Sequence, residues 1–293
     1  MGPIAIPEPS AVADVIATDR EFREFATFVH RQTGIALNET KRPLVCARLR
    51  KRLRYYGYVR LRQYHNHLTE RDPEGDELVR MVNALTTNKT DFFREAHHFT
   101  LLRTELVARR TAGDGPRRLR VWSAGCSSGE EAYSIAFTVL AGLPDAADWD
   151  VRILASDIDT EMLARAERGV YPADRAASVP ATLRERFFRR GRGASAGLVR
   201  VGPEAARLVT FRRINLRDES WPIRIAFDAI FCRNVLIYFD RALQQDVVGR
   251  LVDYLQPGGC LFLGHSESLL GMGTGLRPVG KTVYRKVPHG ARA

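Results

Sequence analysis

An open, mostly parallel α/β sheet with helices on both faces, preceded by a small all-helical domain and carrying a small antiparallel β insert, is the fold predicted by this 293-residue sequence. Three observations predict it. After Gly113-Asp114-Gly115-Pro116, short apolar or β-branched runs alternate with amphipathic stretches, the pattern of strands joined by crossover helices. Before that point, from Asp19 onward, the apolar residues keep helical spacing. Between Arg189 and Ile214 the alternation is interrupted by Gly191, Gly193 and Gly197 beside two short runs of period two.

In order along the chain, residues 1–18 are rich in Pro and Ala and read as a flexible lead-in. A helical domain spans 19–87. In it Glu21-Phe22, Phe25 and Phe28-Val29 recur at helical spacing until Gly34 breaks the run. Asn38-Glu39-Thr40 and Pro43 mark the next helix start. Further helical turns run through Leu61–Leu68 and, after Asp72-Pro73, through Leu78–Leu85. The larger domain covers 88–293. Its strands are Leu119–Trp122, Val151–Ala155, Phe227–Cys232 and Cys260–Leu263; its helices run from about Glu130 to Leu140, Thr160 to Glu167 and Arg241 to Leu255. The last helix carries Leu243, Val247, Leu251 and Tyr254 on one stripe. Leu198–Val201 and Leu208–Phe211 are assigned to the antiparallel insert over 189–214, and Val279–Val287 to a final antiparallel pair.

Composition narrows the class. A hydrophobic content of 45% supports a sizeable core. The four cysteines stand singly, without a CxxC pair, so neither a zinc site nor a disulfide framework is expected. The N-terminus lacks the basic and apolar regions of a secretory leader. No run approaches the roughly 20 apolar residues that span a bilayer, and the expectation is a reduced, cytoplasmic protein. With 45 Lys+Arg against 34 Asp+Glu, the formal charge of +11 favours an acidic partner: nucleic acid, an anionic membrane surface or an acidic protein face.

Four motifs carry chemistry. Val121-Trp-Ser-Ala-Gly-Cys-Ser-Ser-Gly-Glu-Glu131 follows a strand and opens a helix, and its small residues let a ligand approach the backbone and the free N–H groups of the helix. It lacks both the GxGxxG spacing and the lysine of a phosphate loop. Two glutamates at the helix start disfavour a pyrophosphate and suit a ligand with positive charge and donor groups, such as the sulfonium and amino group of S-adenosylmethionine. The plain alternative is a glycine turn with carboxylates at a helix N-terminus. In Ala155-Ser-Asp-Ile-Asp159, Asp157 ends the second strand where a ribose diol is gripped in Rossmann-like folds, and Asp159 suits a helix cap. Thr86-Thr-Asn-Lys-Thr-Asp-Phe-Phe-Arg-Glu95 reads either as a helix start capped by Thr90, or as a ligand segment in which Arg94 pairs with a carboxylate. Phe227-Asp-Ala-Ile-Phe-Cys-Arg-Asn-Val-Leu-Ile-Tyr-Phe-Asp240 delivers Arg233-Asn234 to the end of the sheet; Tyr238 there suits a core aromatic.

Taken in order, TTNKTDFFREAHHF, VWSAGCSSGEEAYS, ASDID, INL, FDAIFCRNVLIYFD and PGGCLFLGHSE resemble the chemotaxis-receptor glutamate O-methyltransferases, the CheR family, over nearly the whole chain from about residue 20. The resemblance implies a Rossmann-like class I methyltransferase sheet. It implies methyl transfer from S-adenosylmethionine, leaving S-adenosylhomocysteine, to glutamates on the cytoplasmic helices of a chemoreceptor, with no metal. Position by position, it places cofactor contacts at Asn88, Thr90, Arg94, one of Glu130 and Glu131 (with Glu131 preferred), Asp157, Asn215-Leu216 and Asn234-Val235. The sequence departs from the family at Ala132, where proline is frequent; either residue suits the start of a helix.

A glutamate in water ionises near pH 4.3, so the implied nucleophile needs no general base, and catalysis rests on alignment and desolvation. Tyr238 is the candidate to border the methyl-transfer site. Lys41–Arg54 places Val45, Leu49, Leu53 and Tyr56 on one stripe and surrounds it with basic residues; Arg48, Lys51 and Arg52 are the expected contacts to Glu-rich receptor helices. Gly191, Gly193 and Gly197 resemble the glycines of the family's small β-subdomain, which in some members holds a receptor's C-terminal pentapeptide by strand addition. A monomer suffices for all of this. Two rival readings are a nucleic-acid methyltransferase and a signalling module that binds the cofactor without transfer. The first calls for a [DNS]-P-P-[YFW] loop around a flipped base, whereas Arg233-Asn-Val-Leu has no proline.

Overall fold

A computed structural model describes residues 15–112, 117–143, 148–269 and 275–287. The Gly/Pro junction at 113–116 and residues 1–14 of the expected lead-in lie outside the described residues. The chain divides into two compact units, Met1–Thr86 and Thr87–Ala293.

The first unit holds four helices among its described residues: α1 (Asp19–Thr33), α2 (Arg42–Tyr55), α3 (Leu61–Glu70) and α4 (Asp76–Leu85). Each is set by local chemistry. Thr18 and Glu21 form a capping box on α1, and Gly34, with φ 77°, ends it in the left-handed conformation. Pro43 sits in the first turn of α2, where its missing N–H is harmless. Residues 15–18 do not trail: Ile16 bridges Arg60 and Thr18 caps α1, which corrects the lead-in expected up to residue 18. Apolar stripes close the core, with Phe22, Phe25, Val45, Leu49, Leu53 and Leu61 almost fully buried. Glu77 is buried among them. Tyr64 Oη (2.6 Å) and Tyr56 Oη (3.0 Å) donate to it, and Arg52 forms a two-pronged ion pair with it.

The second unit opens with α5 (His97–Ala112) and continues through β1 (Arg118–Ala124), α6 (Glu130–Gly142), β2 (Asp150–Asp157) and α7 (Thr160–Arg168). There follow β3 (Val170–Pro172), α8 (Ala181–Phe187), β4 (Phe188–Arg190), β5 (Leu198–Val201), α9 (Pro203–Ala206) and β6 (Val209–Arg213). The last described elements are β7 (Phe227–Cys232), α10 (Arg241–Asp253), β8 (Leu255–Leu263), β9 (Leu276–Gly280) and β10 (Val283–Lys286). A seven-stranded sheet has the order β6-β2-β1-β7-β8-β10-β9. The strands from β6 to β8 are parallel, and β10 is antiparallel to both of its neighbours. Strands buried on both faces, such as residues 121–124 and 229–232, are continuously apolar or small for that reason. Two apolar clusters flank the sheet, one around Phe137, Phe188 and Phe231, the other around Trp122, Trp221 and Leu251.

The insert differs from expectation. Its three-stranded antiparallel sheet has the order β3-β5-β4, so it begins at Val170, and Leu208–Phe211 does not belong to it. Val209–Arg213 pairs parallel with β2 and forms the edge of the main sheet. A short alternating run fits an edge strand of either sheet, and the backbone of β2 decides.

Candidate active site

In an open α/β sheet, ligands bind beyond the carboxyl ends of the strands where strand order reverses. Here the chain runs outward from β1 through β2 to β6 and returns at β7 beside β1, so the crevice lies between the ends of β1 and β7. After β1, the N–H groups of Gly125 and Cys126 donate to the Ser156 carbonyl at 2.7 and 2.9 Å, folding the glycine loop against β2. Gly125 has φ +83°, and a Cβ there would lie 2.3 Å from Val235 Cγ2. Only glycine lets these two loops approach so closely.

Asp157 ends β2 almost fully buried. Its Oδ2 accepts the Ser127 N–H (2.8 Å) and its Oδ1 the Asp159 N–H (2.9 Å). Burial pushes its carboxyl up to about 6 although those two N–H groups pull the other way. Asp159 caps α7, accepting from the Glu161 and Met162 N–H groups, and its second oxygen accepts from Asn88 Nδ2 at 2.7 Å. Ser127 Oγ donates to the Asn88 carbonyl at 3.0 Å, so Asn88 is bound directly to the Asp157 corner.

The segment 88–96 is irregular and α5 begins at His97, so Thr90 does not cap a helix. Phe92 is buried, and the Phe93 N–H donates to Ser134 Oγ at 2.9 Å. Arg94 lies between two residues of positive φ, Phe93 (54°) and Glu95 (58°), and its Nη1 donates to the Lys89 carbonyl at 3.1 Å. The Thr90 carbonyl accepts from Arg175, which also pairs with Glu130.

The two glutamates opening α6 separate. Glu130 binds Arg175 and accepts from Ser128 Oγ. Glu131 turns toward β1 and β7, accepting from Ser123 Oγ (2.6 Å) and Arg233 Nη1 (3.1 Å). Burial raises the Glu131 carboxyl, with Arg233 opposing. Arg233 also pairs with Glu95 at 3.3 Å and donates to the Arg94 carbonyl, tying the end of β7 to the 88–95 segment.

Asn234 has φ 61°, an unusual conformation for a residue with a side chain. Beside it, one carboxylate that sequence reasoning gave no role, Glu267, accepts four backbone N–H groups: Asn234 (2.8 Å), Val235 (2.9 Å), Leu236 (2.8 Å) and Gly264 (2.6 Å). On the far side, the Ile214 N–H donates to the Asp157 carbonyl at 3.1 Å, which brings Asn215-Leu216 to the same corner. Asn215 shapes its own turn by accepting from the Arg217 N–H and Trp221 Nε1, and Leu216 is buried. Tyr238, half-buried in the turn after Val235, packs against the Trp122 cluster.

The expected substrate contacts are only partly surface groups. Lys51 is exposed. Arg48 donates to the carbonyls of Leu85 and Thr86 at the end of α4, and Arg52 is held by Glu77, so both are committed to the helical unit and do not form one basic face with Lys51. Gly193 (φ 56°) and Gly197 (φ 82°) shape the turn before β5, and a Cβ at Gly191 would lie 2.1 Å from the Ser195 carbonyl oxygen. Against β4 and β5 lies a groove of about 700 Å³ whose lining includes Phe188, Val199, Gly191, Gly197, Arg184 and Arg190.

The sheet order, the glycine loop after β1 and the buried Asp157 that accepts from it at the end of β2 have the form of an S-adenosylmethionine-dependent methyltransferase. The sequence matches the CheR methyltransferase SAM-binding domain over residues 88–285 and the CheR all-alpha domain over 20–86. The chain belongs to the CheR methyltransferase family. It is 47% identical to chemotaxis protein methyltransferase 2 of Pseudomonas aeruginosa, covering 91% of this chain and 93% of that protein. It is 43% identical to the chemotaxis protein methyltransferase of Escherichia coli, covering 91% of each. Among the described residues no cluster of His, Cys, Asp or Glu is placed to hold a metal ion, and no helix is long and apolar enough to cross a membrane.

Proposed function

We propose that this protein transfers the methyl group of S-adenosylmethionine to glutamate carboxylates on the cytoplasmic helices of a chemoreceptor, acting as a cytoplasmic monomer in chemotactic adaptation. The observation that carries the reading is the Asp157 corner: a buried carboxylate, a glycine loop that admits no Cβ, and Asn88 joined to both within a chain of this family.

Bound S-adenosylmethionine supplies an electrophilic methyl group on a positively charged sulfur. The protein's residues hold and orient. Asp157 takes the ribose hydroxyls, Arg94 the terminal carboxylate and Glu131 the amino group. Asn88, Thr90, Asn215, Leu216, Asn234 and Val235 complete the walls, and Glu130, bound to Arg175, braces the 88–95 segment. A substrate glutamate arrives already ionised at neutral pH, so no residue need take its proton. Alignment and exclusion of water account for the acceleration. Tyr238 borders the incoming carboxylate, and Tyr238→Phe should lower kcat a few-fold with cofactor affinity intact; unchanged turnover removes it from the site.

Lys51, with the exposed Lys41 and Arg54 of the same segment, docks the acidic receptor helices. A receptor's C-terminal pentapeptide adds as a strand at the β4 edge of the small sheet, next to the groove against β4 and β5, with Gly191, Gly193 and Gly197 keeping the adjoining turn compact. The deciding experiment incubates the protein with methyl-labelled cofactor and a purified receptor cytoplasmic fragment. Base-labile label on a Glu-rich helix is expected. Base-stable label, or label on added nucleic acid and not on the fragment, overturns the proposal.

A further inference from the structure

The turn at the end of β7 has no secondary structure to hold its shape. Arg233, Asn234, Val235 and Leu236 leave the strand, Asn234 takes φ 61°, and the next turn is a short 3-10 segment, Leu236–Tyr238. Backbone N–H groups in such a bend must find acceptors, because leaving one buried and unpaired is strongly unfavourable. The acceptors all come from one side chain. Glu267, only 5% exposed, takes three consecutive N–H groups of the turn and a fourth, that of Gly264, from its own loop after β8.

A second, separate observation concerns the same turn. Gly264 lies so close beneath Asn234 that a Cβ there would come 2.4 Å from Asn234 Nδ2 and 2.9 Å from Asn234 N. The β8 loop therefore grips the turn twice, by a carboxylate and by the absence of a side chain. Val235 in turn sits against Gly125 of the cofactor loop, at a spacing that a methyl group would destroy. Any shift of the Asn234-Val235 backbone is thus felt at the glycine loop.

The geometry points to Glu267 as a positioning residue for the cofactor: its carboxylate holds Asn234 and Val235 in the conformation that S-adenosylmethionine meets. The assignment rests on the reading of the carboxyl-edge crevice as the cofactor site. Glu267 touches no reacting atom, and it acts only through the turn. An amide is the sharpest probe, since glutamine keeps the size but replaces one accepting oxygen with an NH2 group that opposes the turn's N–H donors.

The test compares wild type, Glu267→Gln and Gly264→Ala by calorimetry with S-adenosylhomocysteine, by thermal melting, and by methyl-transfer kinetics on a receptor fragment. Both variants should bind S-adenosylhomocysteine at least ten-fold more weakly. Their KM for S-adenosylmethionine should rise by a similar factor, with kcat at saturating cofactor within about three-fold of wild type and KM for the receptor fragment unchanged. If Glu267→Gln does not fold, Gly264→Ala is read by the same criteria. A lower melting temperature with unchanged affinity and KM makes Glu267 merely structural and overturns the inference, as does a fall in kcat with cofactor KM unmoved. Wild type that gives no heat with S-adenosylhomocysteine would instead remove the cofactor site itself, an outcome separate from a failure confined to the variants.

Discussion

Glu77 in the helical unit and Asp157 at the end of β2 are both buried carboxylates, and they are held in opposite ways. Glu77 is met by a cation and two hydroxyls; burial pushes its carboxyl up, but Arg52, Tyr64 and Tyr56 outweigh that and hold it below the usual range. Asp157 is met by backbone N–H groups and by the like charge of Asp159; burial outweighs the N–H groups and, with Asp159 adding to it, raises the carboxyl to about 6. Backbone shows the same contrast. Among the described residues, the positive-φ residues other than glycine are Phe93, Glu95, Ser127, Asn234 and Thr282, all in the second unit and four of them in the site loops. One region has neutralised its charge to hold helices together. The other keeps a costly carboxylate and strained loops in place, the signature of a surface shaped for a ligand.

Predictions follow from that contrast. Glu77→Ala strands the Arg52 guanidinium and should destabilise the protein by about 3–5 kcal/mol, read as a denaturant midpoint, while S-adenosylhomocysteine affinity of the folded protein stays at wild type. Weakened binding would show that the two regions are not separable in this sense. Gly125→Ala strains a left-handed position and drives a methyl group into Val235; affinity should fall by about 100-fold or more, from a distortion on the order of 3 kcal/mol, in calorimetric titrations. Wild-type affinity there would mean the loop is not part of the site.

Acid should separate the regions too. An acid whose folded pKa exceeds its unfolded value adds stability at low pH and loses that contribution as pH rises through the folded value. Asp157 therefore favours the free protein on acidification. Ribose hydroxyls prefer the ionised carboxylate, so cofactor affinity should be highest well above pH 6 and fall, by up to about ten-fold per unit, as pH drops below it. A flat profile between pH 7 and 5 contradicts this assignment. Smallest is the surface effect: Lys51→Glu with Arg54→Glu should raise KM for a receptor fragment by about ten-fold at low salt, converging on wild type as salt screens the charges. Arg52→Glu should instead unfold the helical unit, because it sets a second carboxylate against Glu77.

Much of the architecture was legible because it rests on local periodicity. The α2 stripe, the alternation of β1, α6, β2 and α7, and the role of Asp159 as a cap all follow from neighbours within one turn or one strand. What escaped depends on partners distant in sequence. Arg48 and Arg52 look like Lys51 in the sequence, yet the end of α4 and Glu77, some 25–38 residues away, draw them inward. Val209–Arg213 gives no local sign of which sheet it joins. Glu267 lies in a string that resembles the family, but a carboxylate serving four N–H groups has no sequence pattern beyond being an acid near glycines. Charge runs and short strands are ambiguous until the fold supplies their partners.

The most direct test is calorimetric titration of S-adenosylhomocysteine into wild type and into Asp157→Ala near neutral pH. Saturable one-to-one binding to wild type and a loss of about 100-fold in the variant, as expected when hydrogen bonds to a buried charged acceptor worth about 1.5–3 kcal/mol each are removed, is the predicted result. Equal affinity in the two proteins, or no binding to wild type, would contradict the placement of the cofactor at the sheet's carboxyl edge.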